Sequence, residues 1–102
     1  MPKFIFTYHG GKKPATPEEG KAQMARWKEW VVAQGPAMLE PQNPVGKTMT
    51  VSADGTTEGS GNPMNGYSII EAVDMNAAVE IAKTCPYTDM GTIEVSQILQ
   101  MK

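Results

Sequence analysis

Apolar residues recur with two different periods along the chain, and the switches between them mark its elements. Between Lys3 and Tyr8, Phe4, Phe6 and Tyr8 fall on one side and Ile5, Thr7 and His9 on the other, which predicts a first strand. Met24, Trp27, Trp30 and Val31 then repeat at spacings of three and four, predicting an amphipathic helix laid on a sheet. Its start is marked by Thr16-Pro17-Glu18-Glu19, a capping box with proline in the first helical position, and its end by Gly35-Pro36. Ala37–Glu40 reads as a short extended piece and Pro41–Pro44 as a turn that interrupts any strand. From about Lys47, Met49, Val51 and Ala53 alternate with Thr48, Thr50 and Ser52, predicting the second main strand with one polar face. Asp54–Asn65, rich in glycine and in hydroxyl and amide residues, is expected to be a long connection.

The clearest signals lie side by side further on. Tyr67–Val73 is aromatic and β-branched with Ile69 next to Ile70, so a strand apolar on both faces, each of them covered, is expected. Asp74 is placed to N-cap a helix carrying Met75, Ala78, Val79 and Ala82 on one stripe, widened by Ile81 and Cys85 and stopped by Pro86. After a turn at Tyr87–Gly91, Ile93, Val95, Leu99 and Met101 alternate with Glu94, Ser96, Ile98 and Gln100 in a last strand, Thr92–Met101. The order strand, helix, strand, strand, helix, strand is that of a ferredoxin-like α+β sandwich, with both helices on one face of an antiparallel sheet. The other face mixes threonine and serine with apolar groups. Two such sheets packed face to face would cover it, so the expected assembly is a homodimer forming a dimeric α/β barrel.

Composition narrows the partners. The 102 residues make one domain, short enough for a partner subunit to add useful buried area. A net charge of −2, with nine scattered Lys and Arg, lacks the concentrated basic surface that phosphate neutralisation needs, so no nucleic acid is expected. One cysteine makes no internal disulfide, and the apolar run after Met1-Pro2-Lys3 is too brief for a leader or a membrane span. The expected setting is therefore cytoplasmic, with no membrane partner. Eight methionines against two phenylalanines point to an adaptable core or interface.

Gly66-Tyr67-x-Ile69-Ile70-Glu71-Ala72, Asp74 with Ala77-Ala78-Val79-x-Ile81-Ala82, Cys85-Pro86 and Gly91-x-Ile93-Glu94-Val95 together resemble the YCII-related family, which includes the DGPF-type proteins. The Gly35–Pro44 segment also sits where that family leaves its first helix. The resemblance implies a small dimeric α/β-barrel protein, and for some members a histidine and an aspartate in a pocket have been proposed to run lyase-type or dehydrochlorination chemistry. This sequence departs from that pattern twice. Met24 occupies the first-helix position matched to the proposed histidine, and Asp54-Gly55 continues as Thr56-Thr57 instead of proline and phenylalanine.

The candidate chemistry follows from residue types. His9 is the sole histidine, the one side chain whose ordinary pKa of about 6.5 lies near neutrality, and it precedes Gly10-Gly11, whose backbones permit close approach by a ligand. It is the candidate acid or base, with Asp54 as the acid that would orient it; as a bland alternative, His9 caps a strand end and Asp54-Gly55 is a turn. Tyr8, Tyr67 and Glu71 are the candidate ligand-binding residues, and Glu94 joins Glu71 as an acid that can face the enclosed side of the sheet. Asp74 is explained by its capping role, and Trp27 and Trp30 by core packing. Gly10-Gly11-Lys12-Lys13 and Gly46-Lys47-Thr48 are only fragments of phosphate-binding loops, and Cys85 reads as a buried small hydrophobe. No metal or other cofactor is expected. Two functional readings stand: a small-molecule-binding protein with lyase-type acid/base chemistry in a barrel pocket, and a non-catalytic metabolite-binding or accessory dimer.

Overall fold

The computed structural model describes residues 1–11 and 13–100. Strand β1 (Lys3–Gly10) is followed by helix α1 (Pro17–Gln34), strands β2 (Met38–Pro44), β3 (Met49–Ser52), β4 (Gly55–Glu58) and β5 (Met64–Glu71), helix α2 (Met75–Lys83) and strand β6 (Gly91–Ile98). Short 3-10 turns at Gly35–Ala37 and Pro86–Asp89 follow the two helices. The main sheet has four strands in the order β2-β5-β1-β6, all neighbours antiparallel, and it is open. This is the α+β arrangement expected from the sequence, with the β1-α1-β2 crossover split by β5.

The helix starts form as the local sequence dictates. Thr16 Oγ1 accepts from Glu19 N–H at 3.2 Å, while Glu19 Oε2 reaches back one residue further than in the usual box and accepts from Ala15 N–H at 3.0 Å. Asp74 Oδ1 accepts from Ala77 N–H at 2.8 Å and caps α2. At the other end of α2, Cys85 takes an extended conformation ahead of Pro86, as the proline ring demands.

Register then sorts the faces. Phe4, Phe6 and Tyr8 of β1 lie opposite Ile70, Ser68 and Gly66 of β5 and opposite Gln97, Val95 and Ile93 of β6, and this is the face that carries the helices. Phe6 stacks on Trp30 with ring centroids 6.5 Å apart, and Tyr8 meets Trp27 edge-on at 5.3 Å. Trp30 Nε1–H donates to Thr84 Oγ1 at 2.9 Å, and that hydroxyl donates to Ile81 O at 2.7 Å, so the indole links α1 to the end of α2. Ala78 and Ala82 of α2, with Cys85 just beyond its end, complete the core, whereas Met75 of the predicted stripe is exposed.

The centre of the chain departs from the sequence reading. The second strand of the main sheet is Met38–Pro44, the stretch expected to be a short extended piece and a turn. Its two prolines are tolerated because it is an edge strand, paired with β5 through two register shifts. Met49–Ser52 is a strand, but it pairs with Gly55–Glu58 in a separate two-stranded hairpin, and so the expected long connection contains β4. β5 is covered by helices on its Ile70 side only, and Ile69 on the other face is half-buried. β6 ends at Ile98, Leu99 lies exposed beyond it, and Met101 lies outside the described residues. No helix among the described residues is long and apolar enough to cross a membrane.

Two glycines permit close approaches at one end of the sheet. A Cβ at Gly66 would sit 3.0 Å from Asn43 O of β2, and one at Gly91 would collide with His9 O and lie 2.9 Å from Gly11 N. These contacts and the aromatic packing give two stability predictions. Trp30→Ala, which empties the α1 side of the core and removes the hydrogen bond that links α1 to Thr84, should cost about 3–5 kcal/mol in a urea titration. Asp74→Ala should cost only about 1 kcal/mol, the value of one N-cap.

Candidate functional site

Two chemically distinct places lie near the end of the sheet where β1 and β2 finish and β5 and β6 begin. The first is a cleft of about 510 Å³ on the helix side, framed by α1, β2, the β1-α1 loop and the turn before β6. Its walls are the rings of Tyr8, Trp27 and Tyr87, together with Met24, Pro41 and Pro44. Tyr8 and Tyr87 lie with ring centroids 5.1 Å apart. Lys13 is the one charged side chain among its described lining residues, and amides of Gln23, Gln42, Asn43 and Asn65 supply the remaining polarity.

Hydrogen-bond direction in this wall is fixed by chemistry. Pro41 O can only accept, so Ser68 must spend its proton there at 2.6 Å, and Tyr8 O–H must donate to Ser68 Oγ, also at 2.6 Å. The chain Tyr8, Ser68, Pro41 O thus crosses β1, β5 and β2. Gly10 O likewise accepts from Tyr87 O–H at 3.2 Å and from the Asn65 amide, which also donates to Tyr87 Oη at 2.9 Å. Burial pushes the Tyr8 phenol well above the ordinary tyrosine range, against the hydrogen bond to Ser68, and the neighbouring Cys85 adds to the rise. Burial also pushes the Cys85 thiol up to about 11, partly offset by a hydrogen bond from the Tyr87 backbone. Both groups are therefore neutral fixtures at neutral pH, and Cys85 is the inert buried residue that the sequence suggests.

The second place is on the opposite, helix-free face. His9 is 6% exposed. Its Nδ1 lies 3.1 Å from Pro63 O, an atom that can only accept, so Nδ1 carries a proton. Nε2 lies 2.8 Å from Thr7 Oγ1 and 3.3 Å from Glu94 Oε1. In the neutral ring Nε2 accepts from the threonine hydroxyl; once protonated it donates and pairs with the carboxylate. Glu94 is itself held by Asn62 Nδ2–H, which donates to Oε2 at 3.1 Å, and its side chain is 60% exposed. A buried imidazole with a fixed tautomer thus meets solvent through a carboxylate.

The candidates from the sequence are distributed over both places. Tyr8 lines the cleft with its ring; Tyr67 borders it too, but its register opposite Thr7 puts its side chain on the helix-free face. His9 does not line it, although the following Gly10 and Gly11 do, because alternate residues of β1 point to opposite faces. Asp54 sits in the tip of the β3–β4 hairpin, its backbone N–H donating to Ser52 Oγ at 3.2 Å, and forms no hydrogen bond or ion pair with His9 among the described residues. Glu71 is at the far end of β5, opposite Lys3, remote in register from His9. The acid beside His9 is Glu94, which period two alone places on the same face. Met24 and Tyr87 in the cleft were not singled out as binding residues, since their approach depends on how α1 and the Pro86–Asp89 turn pack.

The thiol shift sets a pH dependence with a definite sign. Below pH 9.0, the ordinary thiol value, folded and unfolded chains both keep the Cys85 proton and stability is unaffected. Between 9.0 and about 11 only the unfolded chain releases it, so stability should fall with rising pH, by up to about 1.4 kcal/mol per pH unit. Urea titrations from pH 8 to 11 should show this decline, and Cys85→Ala should flatten its lower part, before tyrosine ionisation contributes. In native protein at pH 8 the thiol should react with a disulfide reagent far more slowly than in urea.

With this geometry in hand, comparison with known proteins gives one positive finding: the family model described as YCII-related domain matches residues 3–102. No curated protein matches the chain.

Proposed function

The chain belongs to the YCII-related family, and on that premise we propose that it acts as a homodimer binding a small planar molecule in the cleft between α1 and β2. The observation that carries this reading is the composition of the cleft wall: three aromatic rings, with Lys13 as the one described charge and no described carboxylate. Its volume of about 510 Å³ falls within the range of roughly 300–1,000 Å³ common for small-molecule sites. Aromatic edges and faces favour a flat ligand, and the Lys13 ammonium favours a neutral molecule or an anion over a cation. Phenols and aromatic carboxylates are the classes that fit.

The dimer is supported by surface and shape. The chain exposes 7126 Å², whereas a folded monomer of 11.0 kDa is expected to expose about 5,600 Å². Its radius of gyration is 15.1 Å against about 13 Å for a compact domain of this length. The helix-free face bears Ile5, Tyr67, Ile69 and Ile98 among polar groups, and a second copy laid over it forms the face-to-face dimeric α/β barrel.

A second reading is favoured by the His9–Glu94 pair. In a lyase-type enzyme His9 would transfer protons, Glu94 would take the orienting role that the sequence assigns to Asp54, and the reaction would run between the two sheets. The two readings separate by NMR titration with 4-hydroxybenzoate, phenol and benzylamine. In the binding reading the first two shift the Trp27 indole and the amides of the cleft, benzylamine does not, Trp27→Ala weakens binding about tenfold or more, and His9→Asn binds as wild type. Shifts confined to Thr7, His9 and Glu94, with turnover abolished by His9→Asn, would replace it by the enzyme reading. Sedimentation should give a dimer at micromolar concentration, converted to a folded monomer by Ile69→Arg; a monomeric wild-type protein would overturn the barrel.

A further inference from the structure

We propose that the β3–β4 hairpin is a docking arm for the second copy of this chain. The inference rests on the dimer reading and specifies which surface, besides the sheet face, the partner covers. In the register of the hairpin, Met49 and Val51 share one side with Thr56 and Glu58, and Thr50, Ser52 and Thr57 share the other. Every residue of both strands is exposed, Met49 at 46% and Val51 at 75%. A lone two-stranded hairpin is at best marginally stable in water and needs a third surface to pack against. Among the described residues its strands pair only with each other, and all of their side chains are exposed.

Three observations select a second copy as that surface. The connection that leads from the hairpin into β5 is fixed to the helix-free side of the sheet, where Pro63 O accepts from His9 Nδ1–H at 3.1 Å and Asn62 Nδ2–H donates to Glu94 Oε2 at 3.1 Å. That is the side a partner sheet covers. Area points the same way. The exposed surface exceeds the monomer expectation by about 1,500 Å², the difference between 7126 Å² and the area expected for a chain of this mass. The hairpin, exposed along both of its strands, contributes to that excess. Finally, the apolar side of the hairpin is small, two aliphatic residues flanked by threonine and glutamate, which suits an arm extending an existing interface more than a site that recruits a partner alone.

Hydrogen exchange across a dilution series tests the arm, with sedimentation on the same samples. The amides of 49–58 should be protected in the dimer and lose that protection as the protein dissociates, while those of β1 and β5 keep theirs. Met49→Asp combined with Val51→Asp should raise the dimer dissociation constant at least tenfold with an unchanged far-ultraviolet spectrum, and Ile69→Arg serves as the monomeric reference. Hairpin amides that exchange at free-chain rates in the dimer, or a double variant that dimerises like wild type, would overturn the arm and leave the face-to-face dimer standing. A wild-type chain that is monomeric at every concentration would overturn both.

Discussion

The cleft end of the molecule depends on one buried phenol. Tyr8 packs its ring edge-on against Trp27, which fixes α1 over the sheet, and its hydroxyl donates to Ser68, which in turn donates to the carbonyl of Pro41 and fixes the edge strand β2. That second task matters because β2 carries two prolines and two register shifts and has few regular ladder bonds to spend on its own position. The hydroxyl chain supplies the missing tie, and Gly66 lets the β2 backbone lie close enough for it to close. Without it, the wall of the cleft formed by Pro41–Pro44 would have no fixed distance from the aromatic wall.

The two faces of β1 then divide the chemistry. One residue further along the strand, His9 points away from the cleft into a network with Thr7, Pro63 and Glu94. A single strand therefore presents an aromatic wall to the helix side and a histidine paired with a carboxylate to the open side, with Gly10 and Gly11 turning the chain back to the cleft rim. The arrangement separates the aromatic cleft from the His9–Glu94 pair by the thickness of the sheet, and this separation is why the binding reading and the lyase-type reading have different experimental signatures.

The open face and the hairpin share one physical origin. A small α+β sandwich with helices on one side only cannot bury both faces of its sheet, and this chain spends some of its limited length on a hairpin that adds surface without adding core. Exposed apolar side chains on both features, and a connection into β5 that is fixed to the open side, make a symmetric partner the economical way to cover them together.

Local chemistry alone determined the helices, the strands β1, β5 and β6, and hence the α+β class and family. Thr16, Asp74, Pro17 and Pro86 act on the backbone within a few residues, and Phe4, Phe6, Tyr8, Trp27 and Trp30 show their periods directly. His9 was legible as the one group able to exchange protons near neutrality, and Tyr8 and Tyr67 as candidates for a binding wall. Tertiary structure decided the rest, since it depended on contacts between segments far apart in the chain. Pro41–Pro44 reads as a turn until an edge position frees its prolines from the ladder, and Met49–Ser52 reads as a main-sheet strand until β4 competes for it. Along the sequence Asp54 is the acid expected to orient His9; the antiparallel register of β1 against β6 instead sets Glu94 opposite Thr7, whereas pairing within the hairpin leaves Asp54 in its turn.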